Sequence, residues 1–342
     1  MSHTPSILDV AREARVAPST VSLVMNHQDR VKPETRQRVR KVIERLGYRG
    51  RRRGPKAHSV REVNIAFLYM QETFDGSKPN IYGREIIAGA KAVIGAGRGT
   101  LSILRGLEHI DKDEIFREQV EAGDFDAVVA FGARATDGYV QYLQQSPVKL
   151  VEINRPSLNG KHSCVTLDFR SGSRTAIEHL IDHGHRKIVT IEGINPPEWL
   201  GSQIRLGCED AFAAAKIEPV ASLMTEGGRD IDALHALCRK ILKTKATAVH
   251  CGDRFAIHMI DYFRKQDISV PEDISVIGFD GLKVTTCDSK RLTSIGFDKY
   301  EMGRKVMGLI DRLTAPNPDV AWAIETVPTY LDEGDTVLEN FD

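Results

Sequence analysis

Histidines and cysteines are the residues from which nucleophiles, bases and metal ligands are built. His179 and His183 stand one helical turn apart, and His185 follows beyond Gly184. His185 falls past what reads as a helix end, and no cysteine or carboxylate completes a metal set. The trio reads as a packing signature, with His185 capping the helix C-terminus. The five cysteines, Cys164, Cys208, Cys238, Cys251 and Cys287, are far apart and form no CxxC. They read as isolated buried thiols of a reducing compartment. No GxSxG, Walker A or HExxH run is present. The glycine-rich GAGRG at 95–99 follows a helical stretch instead of opening one, which argues against a dinucleotide site. No catalytic constellation, cofactor or metal site is expected.

A different chemistry is written near the N-terminus. Pro18, Ser19, Thr20, Ser22 and Leu23 put hydroxyls and one apolar side chain on a short stretch. On a helix in a DNA major groove, Ser19 and Leu23 would reach base edges, and Pro18 would make an apolar contact near the helix start. Leu23 cannot hydrogen-bond, so it would favour a thymine methyl. Thr20, Ser22 and nearby arginines would bind phosphate and fix position. Charge agrees. Residues 1–62 hold 15 Lys and Arg against 6 Asp and Glu, so the remaining 280 carry 32 against 41. A basic head on an acidic body suits a polyanion partner. The other reading of such a head is a small helical unit that docks a protein.

The elements that must position these residues follow from periodicity. Ile7, Val10, Ala11 and Ala14 recur at helical spacing, Arg15-Val16-Ala17 makes a turn, and Pro18 opens a second helix with Val21, Val24 and Met25 inward. A third helix is expected at Pro33–Leu46, with Val39, Val42, Ile43 and Leu46 inward and Arg36, Arg38, Arg40, Lys41 and Arg45 outward. Three such helices describe a helix-turn-helix head. The rest alternates. Apolar runs at 63–69, 125–132, 149–154, 187–193, 246–252 and 274–280 read as buried strands. Helical stretches are expected around 83–94 and at 112–122, 137–144, 170–183, 204–215, 231–243 and 254–266. That is a doubly wound α/β body with parallel sheets, long enough for two lobes around a cleft. No window approaches 18 uninterrupted apolar residues, and the first residues lack a signal-peptide layout, so a cytoplasmic chain is expected.

The head resembles the DNA-binding domain of the lactose-repressor (LacI/GalR) family. The resemblance rests on Asp9-Val10-Ala11, Thr20-Val21-Ser22, Asn26, Thr35-Arg36 and Leu46-Gly47-Tyr48. It continues through His179-Leu180, Gly184-His185, VPEDISVIGFDG at 270–281 and LTSIGFD at 292–298. It implies a head at 1–50, a linker at 51–61 and a periplasmic-binding-protein-like effector and dimerisation body at 62–342. Within the body it implies one lobe of about 62–166 and 298–323, and a second of about 167–297 and 324–342. It implies a homodimeric transcriptional regulator, a repressor, on a pseudo-palindromic double-stranded operator, modulated by a small-molecule effector and acting as no enzyme. The alternative is a small-molecule-binding module whose head docks a protein partner. Asn26, Arg36 and Tyr48 join the implied DNA contacts. Two departures show in the head: Arg15 stands where the family often has Gly, and Ala17 where it usually has a capping Ser.

Carried over to the cleft, the resemblance gives Asn154, Asp253 and Asp280 as effector contacts, with Tyr82 and Arg205 in the same set. Arg205 is one residue late against the family's R-x-x-G, which aligns Ile204, and so is turned by about 100°. Gly252 stands where the family has Asn. Trp199, expected in the loop after 187–193, either stacks on a ligand or packs locally. The linker departs most. YRGRRRGPKAH at 48–58 holds four arginines and a lysine, and Gly54-Pro55 interrupts the helix that the family forms here. The family's wedging leucine aligns to Ala57. Arg49-Gly50-Arg51, with Arg52 and Arg53, resembles the core of an AT-hook, an extended arm for a narrow A·T minor groove. The other reading is a basic tether that raises nonspecific affinity.

Overall fold

The computed structural model describes residues 7–17, 20–21, 24, 31–46, 62–69, 81–94, 99–105, 114–131, 138–157, 160–192, 198–224 and 231–340. The chain divides into two compact units, Met1–Val60 and Arg61–Asp342.

In the first unit, α1 (Ile7–Ala14) and α2 (Pro33–Leu46) enclose a core of small side chains: Val10, Ala11, Ala14, Val21, Val24, Val31, Val39 and Val42. Thr20, Val21 and Val24 are helical, and Val21 and Val24, three apart, are both buried. The turn after α1 is a Schellman cap. The Val16 amide donates to the Ala11 carbonyl at 3.0 Å, and the Arg15 amide to that of Arg12 at 3.3 Å. Such a cap needs a left-handed residue at its centre, and Arg15 adopts φ 51. Arg45 of α2 ion-pairs with Glu13 of α1.

The second unit holds two six-stranded sheets. The first runs β11-β5-β4-β3-β1-β2 and is parallel throughout: β1 Val63–Tyr69, β2 Gly99–Arg105, β3 Ala127–Phe131, β4 Lys149–Ile153, β5 Ser163–Leu167 and β11 Ile324–Val327. The second runs β12-β10-β9-β8-β6-β7: β6 Ile188–Glu192, β7 Ala221–Met224, β8 Ala248–His250, β9 Ser275–Phe279, β10 Thr293–Phe297 and β12 Thr329–Asp332. Only its β10–β12 pair is antiparallel. Strands such as β3, β5, β9 and β10 are buried along their whole length, as sheets covered on both faces require. The helices are α3 Ile81–Ile94, α4 Glu114–Ala122, α5 Gly138–Gln145, α6 Phe169–Asp182, α7 Glu198–Ala215, α8 Ile231–Lys243, α9 Asp253–Arg264 and α10 Lys299–Thr314.

The chain passes between the sheets three times, after Leu167, after Phe297 and after Val327. Helices follow two of these crossings, and each is capped by an aspartate. Asp168 accepts from the Ser171 amide at 3.0 Å, and Asp298 from that of Glu301 at 2.8 Å. Each cap contributes about 1 kcal/mol. The third crossing corrects the expected lobe boundary at 324. Residues 324–327 pair with β5 in the first sheet, so the second lobe resumes only at β12. Trp199 is also corrected: it sits in the first turn of α7, not in a loop.

Candidate nucleic-acid interface and ligand cleft

In the head, the Ala17 carbonyl accepts the Thr20 amide at 2.8 Å and the Val21 amide at 3.3 Å, which starts the middle helix without a side-chain cap. Thr20 is half-buried. Arg36, expected to face phosphate, is half-buried too, and its guanidinium donates to the Val31 carbonyl at 3.3 Å. It therefore holds the approach to α2. Arg38, Arg40 and Lys41 are exposed along α2. Pro18, Ser19, Ser22, Leu23, Asn26, Tyr48, Arg49, Arg51, Arg52 and Arg53 lie outside the described residues.

The cleft is built where the second sheet's strands end beside the three crossings. Asp280 follows β9 with φ 124 and is half-buried. Burial, and then the nearby Asp253 carboxylate, push its carboxyl up to about 7 against the pull of Lys299 and Arg254. No hydrogen bond from a described residue reaches that carboxyl. A Cβ at Gly252 would lie 4.0 Å from Asp280 Oδ2, an ordinary contact distance.

Asp253, expected to meet a ligand, is fully buried at the start of α9. Its Oδ1 accepts the Ser294 hydroxyl at 2.5 Å, and its Oδ2 accepts the Leu282 amide at 2.7 Å. It braces the loop after Asp280 and stands behind it. Asn154 is likewise engaged. It sits at φ 62 after β4, and its Oδ1 accepts the Leu167 amide at 3.2 Å, stitching β4 to β5 just before a crossing. Tyr82 lies in the first turn of α3, and its side chain is outside the described residues.

Three residues that sequence reasoning missed complete the cleft. Lys299, in the first turn of α10, is buried and donates to the Gly281 carbonyl at 2.9 Å, joining the first lobe's helix to the second lobe's loop. Its ammonium also lies 4.5 Å from the centre of the Phe297 ring. Burial lowers its pKa, opposed by Glu85, Asp280 and Asp253. Phe169 opens α6 and stacks on Phe279 at 5.6 Å. Trp199 meets Phe169 edge-on at 6.5 Å and stays half-buried, so the three rings form one wall. A lone Lys after an apolar return strand and a Phe after a capping Asp were the available signals. Trp199, the half-buried ring, can stack on a ligand with Phe169 and Phe279 buried behind it, while Asp280 accepts the ligand's hydroxyls.

Arg205 is exposed at the mouth of a separate cavity beneath α7. The reason is local. Gly207 brings α7 so close to α6 that a Cβ there would lie 2.2 Å from the Arg170 carbonyl oxygen, which fixes the rotation of α7. The histidine reading also changes. The His185 ring does not cap its helix: its Nδ1 meets Thr247 Oγ1 and its Nε2 the Leu338 carbonyl, both at 3.0 Å, while its backbone amide serves the Leu180 carbonyl. Burial lowers its pKa to about 4. The His183 Nδ1 turns to the His179 carbonyl at 2.8 Å. Among the described residues no group of three His, Cys, Asp or Glu is arranged to hold a metal ion. No described helix is long and apolar enough to cross a membrane.

Two family models match the chain. One, described as bacterial regulatory proteins of the lacI family, covers residues 6–50, and one described as a periplasmic binding protein-like domain covers 177–337. Residues 6–50 thus carry the DNA-binding domain of the lacI family. Catabolite control protein A of Priestia megaterium is 27% identical to it over 90% of this chain and 92% of that one. The HTH-type transcriptional regulator CelR of Thermobifida fusca is 28% identical over 94% and 96%. A solved CelR–cellobiose complex superimposes with a TM-score of 0.69 at 25% identity, covering 97% of this chain and 99% of that one. Of the cleft residues that the resemblance implied, Asn154 and Asp253 are turned to internal bonds, while Asp280 is not.

Proposed function

We propose that this chain is a sequence-specific DNA-binding transcriptional regulator of the LacI family, a repressor, that binds a pseudo-palindromic operator as a homodimer in the cytoplasm and catalyses no reaction. The middle helix reads the major groove through Pro18, Ser19 and Leu23, with Thr20, Ser22, Asn26 and Tyr48 on the backbone. The arginines at 49 and 51–53 form an extended minor-groove arm, since Gly54-Pro55 breaks any helix there. The body senses a small neutral hydroxyl-bearing molecule between its lobes, held by Asp280 and the wall of Phe169, Trp199 and Phe279. The observation that carries the sensing half is Asp280, a half-buried carboxyl at the end of β9 that no described residue hydrogen-bonds.

Selection of the purified chain on a random duplex library at physiological salt tests the reading half. A palindromic consensus with an A·T-rich centre is expected. If no sequence is enriched, with or without cell metabolite extract, the head is no specific reader.

A further inference from the structure

Outside the inter-lobe cleft, the second lobe holds a cavity of about 350 Å³ between α7 and its sheet. That is large enough for a small ligand. Its floor is polar. The register of β6 puts Thr190 opposite His250 of β8 on one side and opposite Ser222 of β7 on the other. Directly paired residues of parallel strands project from one face, so the three polar side chains form a row. The roof is largely apolar. Ile204 and Phe212 of α7 flank Cys208 at four-residue spacing, and the Cys208 Sγ stands 3.8 Å from His250 Nδ1.

His250 gives the cavity its chemistry. The residue is 2% exposed, and among the described residues its Nε2 has no hydrogen-bond partner. Burial lowers its pKa to about 4, so the ring is neutral at physiological pH. A buried ring nitrogen left without a partner is costly, and native structures seldom retain one. Nε2 has almost no accessible surface in the present ring position, so a small turn of the ring brings it to a ligand hydroxyl, which both donates and accepts and so satisfies it in either tautomer. The mouth carries Glu209 and Glu218 against Arg205, which disfavours an anion. His250 also meets the Phe279 ring edge-on at 6.4 Å, and Phe279 belongs to the cleft wall.

We propose that this cavity is a small-molecule subsite within the second lobe, separate from the cleft. It takes a neutral molecule that sets a hydroxyl on His250 Nε2 and an apolar body against Ile204 and Phe212. A cleft ligand touches both lobes; this one is held by the second lobe alone and touches the cleft only through Phe279. The proposal does not depend on DNA binding.

Phenol and toluene, alike in shape but differing by a hydroxyl, are the probes. They are titrated into the full chain labelled with ¹³C at histidine Cε1, with the His250 signal as the readout. Phenol is expected to shift that signal saturably, with a dissociation constant about fivefold below toluene's, as one net hydrogen bond gives. Ser222→Ile, made on the exposed edge strand, fills the cavity and abolishes the shift while the His185 signal stays in place. Asp280→Asn, made in the cleft, leaves phenol binding unchanged. No shift up to the solubility limit, or equal responses to the two probes, overturns the subsite. So does a shift that survives Ser222→Ile and disappears in Asp280→Asn, which puts phenol in the cleft.

Discussion

A carboxyl that titrates near neutrality makes Asp280 readable by pH. Its folded pKa of about 7 lies above the ordinary 3.8 because burial and Asp253 oppose its charge. Between those values the folded chain keeps a proton that the unfolded chain releases, so stability is lost as pH rises through that window. Asp280→Asn removes the slope. Urea unfolding at pH 5 and pH 8 is expected to show the variant gaining about 1–2 kcal/mol over the parent at the higher pH, a figure reduced for solvent screening of a half-buried group. A parent-to-variant difference that is flat with pH would contradict the assignment. A ligand hydroxyl that donates to the ionised carboxylate works the other way, so cleft affinity rises through pH 7. Arg15 offers a second test at this scale. Its left-handed conformation costs a non-glycine residue about 1–2 kcal/mol, and glycine gives back part of that as chain entropy. Arg15→Gly is therefore expected to stabilise the head by about 0.5–1 kcal/mol, measured by hydrogen exchange at the Val39 and Val42 amides. It also removes a cation from the C-terminal end of α1.

Lys299 couples elements that belong to different lobes. Through it α10 reaches the carbonyl after Asp280, and it is a cation that holds Asp280 down. Lys299→Met keeps the volume and removes both effects. The Asp280 titration, followed by carboxyl ¹³C NMR, is expected to move above the parent's midpoint of about 7, and the chain to lose about 1 kcal/mol for the broken bond. An unmoved midpoint would mean that Lys299 only packs. Neither Lys299 nor the three-ring wall was legible in the sequence, because both depend on which strand ends the crossings bring together. Legibility of the strands followed coverage. β1, β3, β4, β6, β8 and β9 announce themselves as continuous apolar runs, and each is interior to its sheet. The strands β2, β7, β11 and β12 did not, and each is a sheet edge. An edge strand is half-covered, so nothing demands an unbroken apolar run: Thr100 and Ser102 of β2 are exposed. β5 and β10 are interior too, yet neither was read as a strand, β10 entering only as part of the 292–298 motif. In the head the three-helix pattern was legible because its core is a spaced set of valines and alanines. The bond from Arg36 to the Val31 carbonyl was not legible, because spacing shows which side of a helix a residue takes and not which carbonyl its tip finds.

The charge division of the whole chain sets its behaviour on DNA. The first 62 residues carry an excess of nine positive charges, and the other 280 an equal excess of negative ones. Binding through the head releases counterions from the duplex, while the acidic body is repelled by the same phosphates and keeps contact confined to the head. Affinity for a specific duplex is therefore expected to fall steeply with salt, the logarithmic slope being about 0.9 per phosphate neutralised. Arg49→Ala combined with Arg51→Ala separates the two readings of the linker. In a dimer that change withdraws four arginines, and the slope is expected to flatten by up to about 3.6. A bare tether loses this equally on every duplex. An arm seated in a narrow groove, where the negative potential is strongest, loses more on A·T-centred operators than on G·C-centred ones. Binding isotherms at several salt concentrations on both duplexes decide the matter: equal flattening and equal loss of affinity on the two centres would remove the arm and leave the tether.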